Sequence, residues 1–353
     1  MLSAPDDLAV TLLVEVTRGG LVESSHRGAL AVVDSEGGLL AASGDPLFVA
    51  YMRSAAKPFQ ALPTVSAGAI DHFGLDEEAL ALICASHHGT ELHVAIDQRI
   101  LDAIGMDKSA LRCGVHWPID EAAAYRLAQA GLTPDARHNN CSGKHAGMLT
   151  LARFWGCEDH DYTQPDHPVQ HAILHQLSEL TDLPPGRIHS APDGCTVPAF
   201  ALPLAHAALA FARLIDPSAP VDCRRVVAAM QAYPHVVSNY GALDDTLMRA
   251  GAAAHSIVAK GGAEGYQGLG IRTPDGRSVG IALKMADGNP RGKGPVIWAL
   301  LDALGLVDQA TLGRLEPLRR PSITNHRSQV VGEIRPVFSL TRFDPPHTLA
   351  EAR

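Results

Sequence analysis

The sequence predicts a mixed α/β fold of the α+β type: an antiparallel sheet built from both chain ends, with an inserted, mainly helical lobe. Three observations carry this. Residues 8–52 read as short apolar strands broken by glycine turns. Residues 57 to about 250 are rich in Ala and Leu at helical spacing, punctuated by Gly and Pro. Strand character then returns over residues 255–286. The sheet lobe is assigned to residues 1–56 and 255–340, the helical lobe to 57–254 and a tail to 341–353. A cleft is expected between the lobes.

Taken in order, residues 8–16 form an apolar strand ending at Arg18-Gly19-Gly20, and residues 29–34 form a second. Glu36-Gly37-Gly38 turns the chain into a third at 39–43. The apolar run 47–52 is a fourth and leads into Arg53-Ser54-Ala55-Ala56-Lys57-Pro58, after which 58–65 reads as a buried helix. Helices are predicted over 76–88, where the first turn is acidic, and over 92–104, 120–130, 144–155, 167–180, 197–214 and 223–232. Residues 255–259 run as a strand into Lys260-Gly261-Gly262. Ile271 and Arg272 complete a strand before the turn Pro274-Asp275-Gly276, and 278–285 follow as another. A helix over 289–304 and a strand over 328–334 come last, and the polar tail from Asp344 is expected to fray.

The chain has 353 residues, 46% of them hydrophobic and 19% charged, enough for a sizeable core. A net charge of −9 without long single-sign runs argues against nucleic acid and against anionic membrane surfaces. Cysteines 84, 113, 141, 157, 195 and 223 lack C-x-x-C spacing, as expected of reduced thiols. The acidic N-terminus lacks the order of a signal peptide, and no apolar run is long enough to span a membrane. A soluble, cytoplasmic protein is expected.

Ser54 and Lys57 stand three residues apart, so a helix start places both on one face. A serine hydroxyl needs a neighbouring base, and a lysine serves when burial or a nearby cation favours its neutral form. The motif is weak alone, since an exposed lysine beside a capping serine is commoner. The strand before it and the apolar segment after it strengthen it. Ser86, in Cys84-Ala85-Ser86-His87-His88-Gly89, is a second candidate hydroxyl, or else part of a helix end whose histidines favour the dipole. Lys260-Gly261-Gly262 at a strand end permits close approach of backbone to a ligand; the alternative is an ordinary turn. Cys141, in Asn140-Cys141-Ser142-Gly143-Lys144-His145, is a nucleophile with His145 as base, a metal ligand together with Cys195, or a buried structural thiol. His167, His171 and His175 lie at four-residue spacing without the acidic partner of H-E-x-x-H and read as a surface stripe.

Across nearly its whole length the chain resembles the Rhizobium-type (type III) L-asparaginases. The resemblance lies in Val22-Glu23-Ser24-Ser25-His26-Arg27-Gly28, Arg53-Ser54-Ala55-Ala56-Lys57-Pro58 and Cys84-Ala85-Ser86-His87-His88-Gly89. It continues in Cys113-Gly114-Val115-His116-Trp117-Pro118, Asn139-Asn140-Cys141-Ser142-Gly143-Lys144-His145-Ala146-Gly147-Met148, Asp193-Gly194-Cys195 and Lys260-Gly261-Gly262-Ala263-Glu264-Gly265. It implies a serine β-lactamase-like, penicillin-binding-like fold, a homodimer, and hydrolysis of L-asparagine to L-aspartate and ammonia. It implies two Ser-Lys tandems, Ser54/Lys57 and Ser86/Lys260, and a zinc ion on Cys141, Lys144 and Cys195 with Asp193 beside it. Within the same strings Arg53, His88, Asn140, Gly261 and Glu264 are the candidates for holding substrate. Ser54 is the expected nucleophile, because the helix itself fixes its lysine, and an acyl-enzyme is the expected intermediate. Asn239, Ala242 and Thr196 depart from the family pattern, which bears on substrate range. A glutaminase, a penicillin-recognising hydrolase and a non-catalytic zinc or amino-acid binder are the competing readings.

Overall fold

A computed structural model describes residues 9–254 and 256–349. Expectations that touch residues 1–8, His255 or residues 350–353 lie outside the described residues. In chain order the first strands are β1 (Thr11–Arg18), β2 (Leu21–Asp34), β3 (Gly38–Ser43) and β4 (Val49–Tyr51). Helices α1 (Lys57–Ser66), α2 (Ala69–His72), α3 (Glu77–Ile83), α4 (Glu91–Ala103), α5 (Glu121–Gln129), α6 (Ser142–Trp155) and α7 (Pro168–Thr181) follow. Then come β5 (His189–Pro192), β6 (Pro198–Pro203), α8 (Leu204–Ile215), α9 (Val221–Ala232), α10 (Pro234–Val237) and α11 (Leu243–Ala250). The last third holds β7 (Ile257–Gly262), β8 (Tyr266–Arg272), β9 (Ser278–Met285), α12 (Lys293–Ala303), α13 (Gln309–Arg314), β10 (Ser322–Thr324), β11 (Val330–Pro336) and β12 (Thr341–Thr348). The chain divides into two compact units, one of residues 1–55, 201–217 and 246–353, the other of residues 56–200 and 218–245.

The first unit is built on an antiparallel sheet in the order β10-β11-β1-β2-β9-β8-β7, with β3 beside β2 and β12 beside β3. Residues 28–33 of β2 are buried at every position, so both faces of the sheet are covered there. Helix α8, Leu-Ala-His-Ala-Ala-Leu-Ala-Phe-Ala-Arg-Leu-Ile, is apolar almost all round and is buried accordingly. Its seat is a patch of glycines. A Cβ on Gly280 would collide with the Ala208 carbonyl, and one on Gly268 with the Phe211 ring. Bare backbone on β8 and β9 thus lets the helix lie directly on the sheet.

Two sequence expectations need correction here. Residues 197–214, read as one helix, are β6 followed by α8. Pro198 and Pro203 bracket the strand, and Pro203 stands where the helix starts, since proline fits a helix only at its beginning. The tail, read as frayed from Asp344, pairs with β3 as β12. A register shift between Arg342 and His347 accommodates its prolines.

The second unit is mostly helical. Residues 57–65 of α1 are all buried, and Pro58 sits in its first turn, where its missing N–H costs nothing. Asp76 caps α3 by accepting from Ala79 N at 2.9 Å, and Asp120 caps α5 by accepting from Ala123 N at 2.8 Å. Gly143 and Gly147, four apart on α6, face the end of α3. A Cβ on the first would strike the Leu82 carbonyl, and one on the second the Ile83 side chain. These glycines bring the start of α6 against the segment that follows α3. Of the predicted histidine stripe, His171 and His175 are exposed, but His167 is buried and caps α7 by accepting from Val169 N at 3.1 Å.

Candidate active site

In the second unit α3 ends at Ile83, five residues before the predicted end, so Ser86 and His87 lie in irregular chain rather than in a last helical turn. Ser86 N donates to the Val237 carbonyl at 2.9 Å. Lys57, the first residue of α1, is 1% exposed. Its Nζ donates to the Ala85 carbonyl at 2.6 Å and to the Asn140 carbonyl at 3.1 Å, and lies 3.0 Å from Ser86 Oγ. Cys141 also meets this amine. To act as a base on Ser86, Lys57 must first give up a proton and turn its lone pair to the hydroxyl. No spacing in the sequence relates Lys57 to Ser86. Their contact is made by the packing of α1, α3 and α6.

Behind Ser86 lies a polar cluster that the sequence reading missed. His87 is fully buried; its Nδ1 accepts from Gly89 N at 3.1 Å, so its Nε2–H donates to Ser142 Oγ at 2.9 Å. Burial first, and then the neighbouring His93 and Lys57, hold its basicity well below the usual histidine range, so the ring is neutral. His87 stacks on His93, with ring centroids 5.0 Å apart. Asp97 on α4 is fully buried, with the Ser142 hydroxyl beside it as a weak polar neighbour. Nothing in the local sequence Ala95-Ile96-Asp97-Gln98 marks it out.

Cys141, Lys144 and Cys195 lie together at the start of α6 and in the turn before β6. Lys144 Nζ is 2.9 Å from Cys195 Sγ, and both cysteines are free thiols. A hydrogen bond from Cys195, opposed by burial and helped by Lys57 and Lys144, favours the Cys141 thiolate; the same bond and burial push the Cys195 thiol up. Burial opposes the charge on Lys144, and the two sulfurs more than offset it, so the ammonium is favoured. Asp193 adds to that balance. Two thiolates suit zinc, and Lys144 could join them only as the free amine, after giving up its proton. Among the described residues no group of three His, Cys, Asp or Glu side chains is placed to hold a metal, so lysine would have to be a ligand. His145, the alternative base for Cys141, is instead engaged with Tyr162 Oη, 2.6 Å from its Nδ1. Thr196, one of the departures, takes φ 79°, the left-handed region where a glycine is at ease. Asn239, another, donates to Asp120 Oδ2 at 2.9 Å.

The first unit holds Arg53, Ser54, Lys260, Gly261 and Glu264. Arg53 has φ 51°, a strained backbone for a residue with a side chain, immediately before the half-buried Ser54. A Cβ on Gly262 would strike the Met52 carbonyl, so the second glycine after Lys260 allows the end of β7 to meet the 52–54 turn. Lys260 is 1% exposed, and its Nζ donates to the Gly261 carbonyl at 3.0 Å. Glu264, exposed and also left-handed at φ 58°, has its carbonyl bound by Lys284 Nζ at 2.6 Å. His88, in the second unit, is half-buried. Among the described residues no helix is long and apolar enough to cross a membrane.

No curated protein matches the chain at a significant level. Among solved structures it is similar to Mglu in its native form, with 16% identity, a TM-score of 0.37, and coverage of 79% of this chain and 61% of that one. Mglu in its L-glutamate binding form gives 15%, 0.37, 82% and 62%; a Bacillus glutaminase gives 13%, 0.37, 79% and 91%. The chain thus spans 61% of the length of the first of these. The family model described as L-asparaginase II matches residues 14–336, from within β1 to the end of β11. A match over that extent, which takes in both groups of candidate residues, establishes that the chain belongs to the L-asparaginase II family.

Proposed function

We propose that the protein hydrolyses L-asparagine to L-aspartate and ammonia through a serine nucleophile, a lysine base and an acyl-enzyme. The observation that supports this most is the buried amine of Lys57, 3.0 Å from the Ser86 hydroxyl. In the proposal a serine hydroxyl gives its proton to neutral Lys57, and its oxygen attacks the side-chain amide carbon of asparagine. The proton passes to the departing ammonia, and water releases aspartate by the same route in reverse. Ser86 is the hydroxyl against Lys57, a pairing that differs from the tandems Ser54/Lys57 and Ser86/Lys260 expected from the sequence. Backbone N–H groups near Ser54 or Gly261 would stabilise the oxyanion, each worth about 3 kcal/mol.

Arg53, His88, Asn140, Gly261 and Glu264 are proposed to hold the substrate. Cys141, Lys144 and Cys195 would hold zinc, with Asp193 beside them. When bound, the ion would supply an open coordination position that orients the substrate. The same reading takes the fold as β-lactamase-like and the working form as a cytoplasmic homodimer. The test is ammonia release from asparagine by the wild type, Ser54→Ala and Ser86→Ala, with metal content assayed on each and glutamine as the competing substrate. Loss of turnover in the serine variants at unchanged metal content is expected. Full turnover in both defeats the proposal, and a higher rate on glutamine reassigns the substrate.

A further inference from the structure

The string Cys113-Gly114-Val115-His116-Trp117-Pro118 takes no part in the chemistry proposed above, yet one of its side chains reaches Lys57 through a single residue. The backbone N–H of Asn140 donates to His116 Nε2 at 2.9 Å. The carbonyl of the same Asn140 accepts from Lys57 Nζ at 3.1 Å. Because Nε2 accepts, the ring proton stands on Nδ1, which is 2.6 Å from the Trp117 carbonyl. Nε2 also lies 3.4 Å from Asn140 Oδ1, but the shorter contact is the one from the backbone N–H, and it sets the tautomer. The same loop braces the neighbouring residue: Asn139 Nδ2 donates to the Cys113 carbonyl at 2.9 Å, and Asn139 Oδ1 accepts from Cys141 N at 2.9 Å.

We infer that His116 is a positioning residue for Lys57: by holding the Asn140 N–H it fixes the Asn140 carbonyl, which with the Ala85 carbonyl keeps the Lys57 amine aimed at the Ser86 hydroxyl. The inference rests on the Ser-Lys reading of the site. It gives the Cys113–Pro118 string a task that a surface loop would not need. It also separates two roles of Asn140, whose side chain is a candidate for the substrate and whose backbone serves the base.

The test uses two substitutions of nearly equal size. Glutamine places an acceptor where Nε2 stands, whereas asparagine reaches only as far as Nδ1. His116→Asn is expected to lower kcat on asparagine by about tenfold, and His116→Gln to return it to within about threefold of wild type, with KM moving less than kcat in both. Equal kcat in the two variants, whether high or low, overturns the inference, because a merely structural loop residue would not distinguish them. Lys57→Ala in the same assay separates the two levels of argument. If it stays active, the Ser-Lys reading falls and the inference falls with it. If it is inactive while the His116 variants are equal, the inference alone falls. Should neither His116 variant fold, the NMR spectrum of wild-type protein carrying isotope-labelled histidine decides: the Nδ1–H tautomer is expected at His116, and the Nε2–H tautomer overturns the assignment.

Discussion

Replacing Asp97 by Asn is expected to stabilise the protein, and by more as pH rises towards neutrality. The carboxyl is fully buried on α4, with no well-placed hydrogen bond to offset its loss of water. Burial raises its pKa from 3.8 to about 7, against the smaller pull of Ser142 and Arg137, while Asp135 adds to the rise. The folded state thus keeps a proton that the unfolded state has already released. Across that window the unfolded state binds fewer protons, so stability falls as pH rises and levels off above the folded value. At 1.36 kcal/mol per unit, the group costs the folded protein about 3 kcal/mol between pH 5 and pH 7. Asn fills the same space and does not titrate. The assay is urea unfolding of wild type and Asp97→Asn at intervals from about pH 5 to pH 8, read as the midpoint at constant slope. The difference between the two proteins should grow up to about pH 7 and then stay flat. A difference that does not change with pH would refute the assignment of a buried, neutral carboxyl.

Other outcomes follow from particular contacts. Gly280→Ala places a methyl against the Ala208 carbonyl, and is expected to cost about 3 kcal/mol by lifting α8 off the sheet, visible as a lowered unfolding midpoint. An unchanged midpoint would show that the helix seat is loose. Tyr266→Phe removes a buried hydroxyl that has no partner among the described residues, so it is expected to be neutral or to stabilise by up to about 1 kcal/mol. A clear loss of stability would mean that the hydroxyl is paired. Cys141→Ala is expected to lower zinc content, measured by elemental mass spectrometry, and to raise KM for asparagine more than it lowers kcat. Abolished turnover in Cys141→Ala, with substantial turnover left in Ser54→Ala and Ser86→Ala, would make the metal the hydrolytic centre.

Much of this molecule is legible in its sequence where a local rule applies. The strand before Gly19-Gly20, the turn at Gly37-Gly38 and the helix behind Pro58 are found near their predicted places, because turn glycines and apolar period mark them; β2 begins at Leu21, eight residues before the strand read at 29–34, since residues 21–27 are largely exposed and polar. Over 197–214 two prolines override an Ala/Leu-rich helical pattern. The tail error came from reading polarity and prolines as disorder, when an edge strand tolerates both. At the site, Cys141, Lys144 and Cys195 come from two separate strings and lie close together. The contact of Lys57 with Ser86 spans 29 residues and that of Lys57 with Asn140 spans 83, and no periodicity encodes either. Gly143 and Gly147 are the nearest thing to a signal, since paired small residues on a helix announce a close neighbour without naming it. Asp97 is set by burial, which leaves no mark in the local sequence; His116 stands in a recognisable string, but its contact with the Asn140 N–H does not show there.

The most direct test of the account asks whether the Lys57 amine is the base. Aspartate formation from asparagine is measured for wild type and Lys57→Ala, with and without added small primary amines. A drop of about 10²- to 10⁴-fold in Lys57→Ala is expected, with partial recovery as methylamine or ethylamine is supplied. Lys57→Ala turning over asparagine at the wild-type rate would contradict it.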